Sequence, residues 1–63
     1  MSLITTPNLP HPDDAYAALI AAHDGMTKPQ SDALNARLIL ILMNHIGDHV
    51  VWEQALDMAK ATT

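Results

Sequence analysis

The sequence predicts an all-α fold: a small three-helix domain with an extended N-terminal arm, associating as a dimer. Three observations carry the prediction. Leu38 to Met43 is a run of six large apolar residues. Helix-capping signals bracket it, with Thr27 and Gln30 before it and Gly47 after it. A strand at 38–43 would find no second strand to pair with, and its Leu and Met are good helix formers. The dimer follows from size. A water-facing helix of a small domain shows one apolar stripe and one polar face, so an unbroken run asks for cover on nearly all sides. A chain of 63 residues has little to spare for that.

The elements follow in order. Residues 1–10 carry Pro7, Pro10, two threonines and no helical period, which describes an extended arm. Residues 11–63 form the three-helix domain. The first helix starts near Pro12, whose missing N–H and fixed φ suit a first turn, with Asp13 and Asp14 at the positive end of the helix dipole. Tyr16, Leu19, Ile20 and His23 make one face at i, i+3, i+4 and i+7, and Gly25 supplies the left-handed stop.

Thr27 and Gln30 form a T-x-x-Q capping box, and Pro29 is tolerated in the first turn. Met26 and Ser31 occupy the hydrophobic-staple positions, and the polar Ser31 means that the staple is missing. The second helix runs to about Ile46 and ends at Gly47. It is expected to be the central, buried helix, with a narrow polar strip of Arg37 and Asn44 in its second half. Asp48 is the expected N-cap of the third helix, its carboxylate facing the N–H groups of Val50 and Val51. Val51, Trp52, Ala55, Leu56, Met58 and Ala59 form that helix's apolar face. The tight Gly47–Asp48 link makes helices two and three direct neighbours.

Composition narrows the function classes. Burial and conformational entropy nearly cancel for a chain this short, and small domains resolve that with disulfides, a metal or association. With no cysteine, disulfides and thiolate zinc sites are excluded. The net charge is −4, and the three cations, Lys28, Arg37 and Lys60, are spread along the chain. Phosphate-backbone binding needs clustered cations, so nucleic acid and anionic membrane are poor partners. No secretory signal or membrane-spanning stretch is visible, and a cytoplasmic location is expected.

Little in the chain suggests catalysis. His45 and His49 have H-x-x-x-H spacing, which holds a metal only when one unbroken helix stacks both rings. Gly47 and Asp48 fall between them and should break the helix. A site assembled in space by His23, His45 and Asp48 is the remaining metal reading, but the expectation is no metal and no cofactor. His23 and His45 sit in last turns, where an imidazolium favours the negative helix end. Asp13, Asp14, Asp24, Asp32 and Asp48 all fall at predicted helix ends, where capping accounts for them. There is no cysteine nucleophile, no elbow around Ser2 or Ser31 and no glycine-rich phosphate loop. The chain is therefore expected not to be an enzyme.

Asn35, Arg37 and Asn44 are polar residues on an otherwise apolar helix, and Arg37 is placed to pair with an acid of helix one or of a partner. The expected interface is Leu38, Ile39, Ile41, Leu42 and Met43, with Trp52. The alternative is a small-molecule binder, with Tyr16 and Trp52 framing an apolar pocket between helices one and three.

LNARLILILMNHIGDH, with the upstream ITTPNLPHPDDAYAALIAAHDGM and the QSDALNA segment that begins helix two, resembles a small bacterial family known as a domain of unknown function. The likeness spans roughly residues 4–57, and LNARL…NHIGD is its distinctive part. The resemblance implies a short protein often encoded beside flavin-dependent aromatic-ring hydroxylases, and so a protein partner among the oxidoreductases of aromatic catabolism. It assigns no catalytic residue. The sequence departs from the family pattern at Met43, where a small residue is usual, and at Trp52.

Overall fold

A computed structural model describes residues 2–62. It contains three helices, α1 (Pro12–His23), α2 (Lys28–Ile46) and α3 (His49–Ala61), and the described residues include no strand. The run at 38–43 is helical throughout. Residues 2–11 precede α1 without regular structure. The backbone N–H of Leu3 donates to Gln54 Oε1 at 2.8 Å, tying this segment to α3.

The helix boundaries follow local chemistry. Pro12 opens α1, with no side-chain cap from His11. Gly25 takes φ 75° just beyond the last turn. Both arms of the Thr27–Gln30 box form: Gln30 N–H donates to Thr27 Oγ1 at 3.4 Å, and Thr27 N–H donates to Gln30 Oε1 at 3.0 Å. Gly47 closes α2 at φ 67°, its N–H donating to the Met43 carbonyl at 2.9 Å. One residue later Asp48 Oδ1 accepts from Val50 N–H at 3.0 Å and Val51 N–H at 3.4 Å, satisfying two of the free donors that begin α3.

The compact turn at Gly47–Asp48 brings α3 back onto α2. There Val51 is the one buried side chain among the described residues, at 8% exposure, and Trp52, next to it in sequence, and Met43 of α2 are half-buried. The Trp52 ring meets the His49 ring edge-on at a centroid distance of 4.3 Å.

No three-helix core forms. The helix expected to be central and buried is central only in order. Ile39, Leu40, Ile41 and Leu42 expose 53, 65, 64 and 49% of their surface, and only Leu34, Leu38 and Met43 among its large apolar residues are half-buried. The reason is geometric: one flanking helix of 13 residues and another of 12 cannot surround a helix of 19. The accessible surface is 5461 Å², against about 4,000 Å² for a compact monomer of this mass, an excess of about 1,500 Å². The radius of gyration is 13.2 Å, a value typical of a compact chain of about 110 residues.

Candidate functional site

A concave feature lies between α1 and α2. The two helices meet where His23 Nε2 stands 3.1 Å from Asn35 Oδ1, and from there a groove of about 880 Å³ opens along both. α1 contributes Ala15, Ala18, Leu19 and Ala22, and Met26 in the link adds its side chain. α2 contributes Gln30, Ala33, Leu34, Arg37, Leu38 and Ile41. The α2 set follows the i, i+3, i+4, i+7, i+8, i+11 rule of a single helical stripe. The α1 set is its shorter counterpart, built mostly from alanine. Two stripes that would close on each other in a compact hairpin stand apart here, with the groove between them.

The groove is apolar except for Gln30 and Arg37. Arg37 is its one charged lining residue, and it makes no ion pair with any other described residue. Lys28 contrasts with it, since both Asp32 carboxylate oxygens lie about one turn away at 2.9 and 3.0 Å.

The six residues expected at an interface do not share one face. Successive residues of a helix are 100° apart, so an unbroken run must point all round. Leu38 and Ile41 line the groove, Ile39 and Leu42 are exposed outside its lining, and Met43 and Trp52 are half-buried toward the α2–α3 turn. Sequence reasoning missed Ala15, Ala18 and Ala22. Their 3–4 spacing was visible, but small residues carry little hydrophobic signal.

This groove lies between helices one and two, not between helices one and three where an aromatic pocket was expected. Neither Tyr16 nor Trp52 lines it, and Tyr16 is exposed.

The histidines are dispersed. The left-handed Gly47 puts His45 at the end of α2 and His49 at the start of α3, so the two rings do not stack on one helix. His49 Nε2 lies 2.8 Å from Glu53 Oε1 and His23 faces Asn35. Among the described residues no three His, Asp or Glu side chains form a metal-holding group, so His23, His45 and Asp48 are not gathered into one. Of the acids, Asp48 caps α3, Asp32 pairs with Lys28, and Asp13 and Asp14 occupy the first turn of α1.

Three helices, with an open apolar groove between α1 and α2, define a small all-α domain. Within that class the family is shown by sequence: residues 3–61 match the model of a family described as protein of unknown function (DUF2783), and the chain belongs to it. No curated protein and no solved structure matches the chain. Among the described residues no helix is long and apolar enough to cross a membrane.

Proposed function

We propose that this chain is a non-catalytic interaction protein of the cytoplasm whose helices are completed by association, in the simplest case with a second copy of itself. The observation that carries this reading is the exposure of the α2 run beside a single buried side chain, Val51. Burial of apolar surface is the main favourable term in folding, and this chain leaves about 1,500 Å² more in water than a compact monomer does. If both copies of a pair hid that excess, about 3,000 Å² would be covered, within the range of obligate dimers. The resemblance described above supplies a candidate for a further partner, an oxidoreductase of aromatic catabolism that the chain would stabilise or regulate.

Light scattering and thermal melting over a wide concentration range test the reading. The expected result is a mass of at least two chains and a melting temperature that rises with concentration, as mass action requires. A compact, fully helical single chain at high dilution, melting at a concentration-independent temperature, would overturn it.

A second reading is supported by the groove itself. Its volume falls in the range of about 300–1,000 Å³ typical of ligand sites, and an apolar trough with one cation suits an aromatic carboxylate. Calorimetric titration with phenolic acids tests this directly, without relying on Trp52. Heat of binding that disappears in R37M would support it, and no heat with any of them would exclude it.

A further inference from the structure

We infer that the α1–α2 groove is the seat of a second copy of the chain, the two copies docking isologously through their α1–α2 pairs into a four-helix unit. The inference rests on the reading that copies associate, and it adds where they meet. The chain's own remaining parts do not fill the groove. No residue of α3 lines it, and Leu3 of the N-terminal segment is hydrogen-bonded to Gln54 on α3.

Size and shape favour a second copy as occupant. In a two-fold arrangement the same patch meets itself with residues exchanged, so each stripe of one copy faces a stripe of the other. Ala15, Ala18 and Ala22 leave shallow positions along α1, and Leu34, Leu38 and Ile41 offer large side chains along α2. Large residues of one copy thus settle over small residues of its mate, the complementarity that lets helices approach to about 8–10 Å. Arg37 is the groove's one charge and pairs with no described residue of its own chain. The excess of about 1,500 Å² is that of the whole described chain, the groove faces included, and two copies that hid it would cover what an obligate dimer covers.

The chain has no cysteine, so single-cysteine variants report local cover without interference. A18C places a thiol in the groove. A17C places one on the same helix outside the groove lining. Both are read by their alkylation rates in the full chain, beside light scattering of the same samples. At concentrations where the mass is twice that of one chain, A18C should react roughly tenfold or more slowly than A17C, since cover controls thiol access. That protection should vanish on dilution, in step with the mass.

Each other outcome overturns the inference in its own way. A dimeric mass with A18C as reactive as A17C places the contact between copies elsewhere and leaves the association reading standing. A single-chain mass at every concentration removes both. Protection of A18C that appears only after a phenolic acid is added assigns the groove to a small molecule instead.

Discussion

The two ends of α2 have opposite fates. At its C-terminal end Gly47 turns the chain, Asp48 caps the next helix, and α3 folds back to bury Val51 and half-bury Trp52. Toward its N-terminal end the capping is as complete, through Thr27 and Gln30, yet α1 stands off and leaves a groove. Good caps at both ends but closure at only one show that caps fix where a helix begins and ends, not what covers it. At the groove α1 presents mainly alanines, and within one copy its stripe and that of α2 stay apart.

Substitutions can break or sharpen this contrast. The largest effect is expected from Leu42→Asp. In the isolated chain Leu42 is half exposed and a carboxylate there would cost little. If association covers it, burying an unpaired charge costs several kcal/mol against marginal stability, and circular dichroism should show loss of helix or light scattering a single chain. A folded variant with unchanged mass would mean that this face stays in water.

Next comes Gly47→Ala, at the closed end. A Cβ there meets only the Asn44 carbonyl oxygen at 3.7 Å, an ordinary contact. The cost is therefore the left-handed φ itself, about 1–2 kcal/mol, read as a lowered denaturation midpoint. An unchanged midpoint would show that the α2–α3 turn does not limit stability.

Removing the cap with Asp48→Ala should cost about 1 kcal/mol, and Thr27→Ala a similar amount. Equal losses in denaturant melts would support equivalent capping at the two ends. A far smaller loss for Thr27→Ala would show that the groove end opens before the rest of the chain unfolds.

The smallest change belongs to Glu53→Gln. The His49–Glu53 pair is well exposed on both sides, so stability should move by no more than about 0.5 kcal/mol. A larger fall that persists in high salt would place this surface inside a contact.

What was legible in the sequence was local. The T-x-x-Q box, the two left-handed glycines and the Asp48 cap each depend on residues within one turn, and together they set all three helices where the structure has them. The position of the groove depends instead on residues far apart in the chain, Ala15 with Ile41 and Ala22 with Leu34. Small side chains at those α1 positions decide how far apart the helices sit, and a search for large apolar residues passes over them. The same bias drew attention to Leu38 to Met43 as one surface, although helical geometry divides that run among the groove, the exposed faces and the α3 side. Tyr16 and Trp52 attracted a pocket because aromatics stand out, and they lie away from the concavity.

With Val51 as the one buried side chain among the described residues, a solitary copy has little packing to hold its helices closed, and proteases cleave chains in proportion to how often they open. If copies associate as proposed, the lifetime of one in a cell would be set by how soon it finds its cover. Overproduction would correct itself, surplus molecules being degraded while sheltered ones persist, so that steady-state abundance follows the supply of binding surfaces more closely than the rate of synthesis.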